Sequence, residues 1–582
     1  MNERTGPEGV CTRRQVVAGG AVAATGLLGG CLDSIQQFVG LSSANQVSLS
    51  VIAPPRDWDE RANDIAGRLV NRLETVGVDV RFPLLSPNQF SERILYERDF
   101  DVYVGTMPLG RDPDYLRPLL SSTYADRIGW QNPFGFADMS LDDRLDAQRR
   151  QTGEERTETV GIALETIVGE QPFIPIATRR AIAAVTTDRF EGWGRAPSGE
   201  PIWLFELEPA EGATRDQRLR MATKNRYITD RLNPLMPWIG TFDVTTWLLY
   251  DPLARYYDGE IRPWLAESWW DDDGAITVKL RPDLRWHDDE PLTADDVRFT
   301  YRFLTDTTLG SADTMYPAPR FQQQASLVEE VEVLNDRRVR VHTDASRTVT
   351  PTALTAPLLP KHIWESRTVV ADVDTGLTRA ITADNGEPVG CGPMQFEEQT
   401  PRESMRLGRF ESHPLNRDDN TIAQRFGPLA FSELLFLYRP PSNTLVALED
   451  DEADVTAPIL DNDLLSEVDR SDSLSVVTSP SRTLYHVGFN TRRKPLRNPG
   501  FRRAVAHMVD KRQIVESVFD GYADPHTTPM IDESWIPEEI QWNSGDPEVP
   551  FSGVAGELDA AVARDHFREA GYNYDDDGRL VY

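Results

Sequence analysis

The sequence predicts an α/β protein large enough for two or more lobes, and three observations carry that prediction. At 582 residues the chain is several times longer than an ordinary domain of roughly 100 to 200 residues. Hydrophobic residues make up 40% of it and charged residues 26%, with 39 Gly and 41 Pro along the chain. That is the composition of a folded globular protein and argues against general disorder. Its first periodic stretch also switches from period two to helical spacing and back, the pattern of a βαβ unit.

Taken in order, residues 47–53 alternate around β-branched positions, residues 62–76 place apolar side chains at helical spacing, and residues 78–82 alternate again. A helix is predicted over 87–97, a strand over 100–105, a turn-rich segment over 108–113 and a helix over 154–170, followed by short strands at 174–177 and 181–185. Glu, Pro, Gly and Thr interrupt the periodicity at 206–218, which reads as a linker before a strand at 219–223. Further on, strands at 269–271 and 275–280 flank an Asp-Asp-Gly turn, a hairpin signal. Thr293-Ala294-Asp295-Asp296 opens a helix reaching Leu304 with a capping residue and early acids. A second acidic turn spans 575–578. Neither turn has the further oxygen ligands and closing Glu of a calcium loop, so both read as hairpin turns.

The formal net charge is −32, so binding that neutralises phosphates starts at a disadvantage and nucleic acid is excluded as a partner. Only five of the 61 basic residues are lysines: Lys224, Lys279, Lys361, Lys494 and Lys511. A surface rich in Arg, Asp and Glu suits high salt, where carboxylate repulsion is screened, and a halophilic source is expected.

Residues 1–31 read as a targeting leader. Arg13 and Arg14 precede the small-residue apolar run 16–30, which ends in Leu28-Gly29-Gly30-Cys31. The run is shorter than the roughly 20 residues that span a bilayer. Paired arginines before a weakly apolar core resemble a twin-arginine export signal, and the ending resembles a lipoprotein box in which Cys31 becomes the lipidated terminus. Residues 32–46 then form a tether. Cleavage there leaves Cys391 as the only other thiol, so no intramolecular disulfide is expected.

Several blocks of the second half resemble one family. They are Tyr250-Asp251-Pro252-Leu253, Pro263-Trp264-Leu265-Ala266-Glu267-Ser268-Trp269, Leu280-Arg281-Pro282 with Trp286-His287-Asp288, and Leu292-Thr293-Ala294-Asp295-Asp296-Val297. Leu359-Pro360-Lys361-His362, Gly390-Cys391-Gly392-Pro393, Phe489-Asn490-Thr491, Phe501-Arg502-Arg503-Ala504-Val505 and Gly521-Tyr522-Ala523 follow. Their order and spacing resemble the family 5 extracellular solute-binding proteins of ABC importers, the dipeptide, oligopeptide and nickel-binding type. The block Ala570-Gly571-Tyr572 to Asp577-Gly578 precedes a long closing segment in that family, whereas residues 47–205 resemble that segment here. Phe100-Asp101-Val102-Tyr103, Asp112-Pro113-Asp114 and Glu170-Gln171-Pro172 are among the matching residues.

The resemblance therefore implies a two-lobe, type II periplasmic-binding-protein (Venus flytrap) fold that is circularly permuted. One lobe comprises 178–488, with the old ends joined at 206–218; the other comprises 47–177 plus 489–582. Cut sites of this kind fall at exposed, adjacent termini. Hinges are expected near 175–185 and 485–490, with strand 47–53 beside 580–582.

The implied function is capture of a peptide-like or other small polar solute between the lobes and its delivery to ABC permease subunits and their ATPases, by a monomer anchored through lipid outside the cell membrane. Candidate ligand contacts are Thr106, Met107, Leu109, Tyr227, Trp238, Phe242, Trp247 and Cys391. In peptide-binding members an Asp just before the Asp-Pro-Asp block pairs with the ligand's ammonium, and Leu109 stands at that place. Burying an unpaired ammonium costs several kcal/mol, so a neutral or sugar-like solute is favoured unless Asp112 turns inward. No cofactor or metal is expected. A secreted hydrolase is the alternative class, but Gly-x-Ser-x-Gly and His-Glu-x-x-His are both absent, and His287 and His362 read as structural. A scaffold without ligand is the third.

Overall fold

The first strand, Ser48–Ile52, turns Leu49, Val51 and Ile52 inward and runs into the helix Glu60–Thr75, which begins where the Asp59 carboxylate accepts from Ala62 N at 3.1 Å. Asp79–Arg81 returns parallel to the first strand, and Val102–Pro108 lies parallel on its other side. These positions come from a computed structural model. It describes residues 45–582 except 198–199, 215–216, 230–231, 238–243, 273, 373–376, 384, 418–419, 459–463 and 472.

That βαβ unit and Val102–Pro108 make up half of a six-stranded sheet. Two strands of its other half come from far along the chain: Thr483–Phe489 runs antiparallel between Val102–Pro108 and Phe173–Arg179, and Ala523–Pro525 closes the edge. The core on one face mixes Ile65, Leu69 and Leu73 with Phe501, Phe567 and Leu580. The opposite face packs Phe90, Leu145 and Leu164 with Leu484, Met530 and Ile540. A sheet covered on both faces explains why its central strands are almost wholly buried. The start of the described chain meets the end directly, since Val47 N donates to Leu580 O at 2.8 Å and Gln46 bridges Val581.

A second, seven-stranded sheet is ordered Met394–Thr400, Ser404–Arg409, Glu433–Tyr438, Arg218–Thr223, Val455–Thr456, Ala181–Thr186, Leu474–Ser479. Beside it lies a four-stranded sheet built from the expected hairpin Ala266–Asp272 with Ala275–Leu280 and from Arg338–His342 with Glu330–Asn335. The helix Ala294–Thr305 carries the capping box read from the sequence, with Thr293 and Asp296 as partners. One large apolar cluster serves this half.

Two expectations change. The chain crosses between the two large sheets at Arg180, inside the expected first hinge, but the second crossing lies at residues 480–482 and not at 485–490. Residues 483–488 accordingly belong with the six-stranded sheet, outside the 178–488 range. Tyr485–Phe489 keeps an apolar strand pattern and goes on pairing on both sides, whereas Pro480 has no N–H to give a ladder. A helix the sequence analysis passed over, Met139–Arg150, starts where Asp138 accepts from Leu141 N.

Candidate functional site

The two crossings, Arg179-Arg180-Ala181 and Pro480-Ser481-Arg482, floor a cleft of about 1760 Å³ whose walls come from both halves of the molecule. That exceeds the few hundred to a thousand Å³ of ordinary small-molecule pockets. One wall carries Leu109, Tyr115 and Trp130, the facing wall Trp203, Trp247 and Tyr256.

The loop after Val102–Pro108 is fixed from several sides. Leu109 N donates to Arg482 O at 2.8 Å, and the Arg482 guanidinium donates to the carbonyls of Leu109 (Nε, 3.2 Å) and Gly110 (Nη2). A Cβ on Gly110 would stand 2.3 Å from the Tyr115 ring, so the turn tolerates no side chain there. Asp112 caps Asp114 N and is bound by Arg156 at 2.6 and 2.9 Å, which removes it as a partner for a ligand ammonium. Asp114 is buried and takes both arms of Arg149 at 2.8 Å. Arg149 also donates to Ser326 O (2.8 Å) and Oγ (2.9 Å), across the gap between the lobes. Arg111 crosses the mouth to Glu200 at 3.1 Å, its guanidinium 3.9 Å above the Tyr256 ring.

Of the residues singled out from sequence, Leu109 and Trp247 line the cleft. Thr106 and Met107 do not: they are buried in their strand beneath the surface. Tyr227 forms a lobe-to-lobe contact with Trp58, ring centroids 5.4 Å apart. Cys391 is buried in the second lobe with its Sγ 3.7 Å from Asp251 O, and burial pushes its thiol well above the usual range. The flanking glycines explain that block, because a Cβ on Gly390 or Gly392 would fall about 2 Å from the carbonyls of Leu249 or Leu248. Trp238, Phe242, Cys31, Arg13 and Arg14 lie outside the described residues.

Of the histidines in the sequence blocks, His287 is buried and bonded within the fold, and His362 pairs with Asp288 at 2.8 Å at the surface. His287 accepts from Gly390 N at Nδ1 (3.1 Å) and its Nε2 donates to Gly392 O (3.0 Å), and burial lowers its pKa to about 4. Asp251 sits in a closed polar knot with Arg255, His413 (2.6 Å) and Trp264 Nε1 (2.6 Å). Burial alone would raise its pKa, but Arg255 and His413 hold the carboxyl below the usual range. Among the described residues no group of His, Cys, Asp and Glu could hold a metal ion, and no helix is long and apolar enough to cross a membrane.

Sequence reading missed Arg482, Arg111 and Tyr256. Nothing in Ser479-Pro480-Ser481-Arg482 announces a lining residue, since its role depends on two strands entering different sheets.

Two sheets joined by extended crossings, with a cleft between them, define a two-lobe α/β binding protein. A family model described as bacterial extracellular solute-binding proteins, family 5 middle, matches residues 260–581, more than half of the chain, and the chain belongs to that family. The family consists of substrate-binding proteins of ABC transporters, not enzymes. A putative ABC transporter peptide-binding protein of Brucella ovis is 22% identical over 309 residues, covering 52% of this chain and 54% of the relative. The oligopeptide-binding protein AppA of Bacillus subtilis is 24% identical over 284 residues, 47% of each chain. The solved structure of that AppA with a nonapeptide has a TM-score of 0.47 at 20% identity, over 63% of this chain and 68% of that one. The chain spans about half the length of the curated relatives it matches.

Proposed function

We propose that this chain is the solute-capturing component of an ABC importer, closing its lobes on a peptide-like or other small polar solute and presenting it to membrane permeases. The cleft carries this reading: both walls and both crossings contribute to one crevice, and rotation at two short extended segments opens or closes it without repacking either core. Relatives described as peptide-binding support the solute class. The protein works as a monomer, exported through the twin-arginine signal at Arg13 and Arg14 and held outside the cell membrane by lipid on Cys31. Titrating tryptophan fluorescence and scattering radius against a panel of peptides, sugars and organic acids tests capture. A binding solute should shrink the radius of gyration, and a panel without any response would overturn the reading. The intact mass of the exported protein tests the lipid.

The same reading includes circular permutation. Its support is the junction of Val47 with Leu580 and the shared core of residues 47–177 with 483–582. A chain joined from Tyr582 to Asn45 by a short Gly/Ser linker and opened at the exposed Gly212 should fold, melt within a few degrees of the original and bind the same solutes. Failure to give a folded monomer would overturn the permutation.

A further inference from the structure

The chain carries 93 Asp and Glu against 61 Lys and Arg, yet the cleft reverses that balance. Its walls hold nine arginines and no lysine against five carboxylates.

Each of the five carboxylates already has an arginine. Glu200 pairs with Arg111, Glu206 with Arg195 and Asp258 with Arg425. Asp112 and Glu260 are neutralised from outside the cleft, by Arg156 and by Arg262 at 3.5 Å. Only three wall arginines are thus used by wall carboxylates. Of the rest, Arg255 goes to buried Asp251 and Arg180 to Asp524. Arg347 and Arg482 have no ion pair among the described residues.

Arg482 is the informative one. It is half-buried at the second crossing, where its only hydrogen-bond acceptors among the described residues are the carbonyls of Leu109 and Gly110. Burial, and then the like charge of Arg111, hold its pKa below the ordinary arginine value. A half-buried guanidinium that donates to two neutral carbonyls, with the Glu200 carboxylate nearby already taken by Arg111, is costly to keep charged. An oxyanion relieves that cost, because the planar fork matches a carboxylate or phosphate with two parallel bonds.

We propose that the solute is anionic, carrying a carboxylate or phosphate group that docks on Arg482 beside Arg111 while the aromatic walls cover the remainder. This rests on the solute-capture reading and narrows it: the cleft selects against cationic and uncharged solutes.

The test uses the folded exported chain at fixed ionic strength, reading melting temperature and tryptophan fluorescence. Citrate serves as the carboxylate probe, pyrophosphate as the phosphate probe, putrescine as the cation and maltose as the neutral solute. At least one anion should stabilise the chain and saturate, and the stronger of the two identifies the oxyanion. Its affinity should fall at least tenfold in Arg482→Gln and in Arg111→Gln, two variants whose own melting curves report folding. Putrescine and maltose should be silent. Saturable binding of putrescine or maltose without an anion response would overturn the charge assignment and leave solute capture standing. An equal anion response in both variants would mean an adventitious ion only and would also overturn it. Silence from all four probes would overturn the charge assignment, while a response elsewhere in the wider panel would keep capture.

Discussion

Ser326→Ala isolates one of the contacts between the lobes. Arg149 extends from the helix Met139–Arg150 in the first lobe, is bound bidentately by Asp114 within that lobe, and reaches Ser326 O and Oγ in the second. The substitution deletes one acceptor of a cationic N–H and leaves the carbonyl and the Arg149–Asp114 pair in place. A hydrogen bond to a charged group contributes about 1.5 to 3 kcal/mol, and this one exists only when the lobes are together. Taking the lower figure, the closed-to-open ratio falls about tenfold, and the apparent Kd for the tightest solute of the panel rises by about the same factor. Unfolding of each lobe should be unchanged. Asp114→Asn is the contrast: it leaves a buried Arg149 without its carboxylate, costs about 3 to 5 kcal/mol, and should appear in urea unfolding itself. Fluorescence titration and urea denaturation read the two effects separately. An unchanged Kd in Ser326→Ala, or a change in its unfolding midpoint as large as that of Asp114→Asn, would refute the reasoning.

Two further outcomes follow from buried ionisable groups. Asp251→Asn removes the carboxylate that Arg255, His413 and Trp264 share and should lower unfolding free energy by about 3 to 5 kcal/mol, read as a lower urea midpoint at constant slope. His287 and His526 have pKa values lowered to about 4 and His486 to about 3, in each case chiefly by burial. These groups stay neutral when folded but take up protons near pH 6.5 when unfolded. Their stabilisation is complete above that pH and is lost as pH falls through the folded values, with a slope approaching about 4 kcal/mol per pH unit for the three together. Urea midpoints at pH 7.5, 6 and 5 measure it. A triple variant with Gln at these positions and the same slope would contradict the assignment.

Elements with a strong period were legible in the sequence. The first βαβ unit, the Asp-Asp-Gly hairpin and the capped helix at Thr293 all formed where the pattern placed them, within a few residues. The helix Met139–Arg150 was not legible because its inward positions include Gln148 and Arg149, polar residues that satisfy Asp114 and the lobe contact instead of filling an apolar stripe. The second crossing was misplaced for a related reason: an uninterrupted strand pattern in 483–489 says nothing about which sheet it joins. Leu109 and Trp247 were found through resemblance and aromatic character. Arg482 was not, because one arginine among 56 becomes distinctive only when two sheets leave it facing a cleft.

Native-state hydrogen exchange under increasing urea tests most directly whether residues 45–179 and 483–582 are one cooperative lobe. Amides of Ser48–Ile52, Val102–Pro108, Phe173–Arg179 and Thr483–Phe489 share one sheet, and elements of one unit open together. They should converge on a single opening free energy and a single dependence on urea. Exchange of the two N-terminal strands at low urea, with Thr483–Phe489 still protected, would contradict the account.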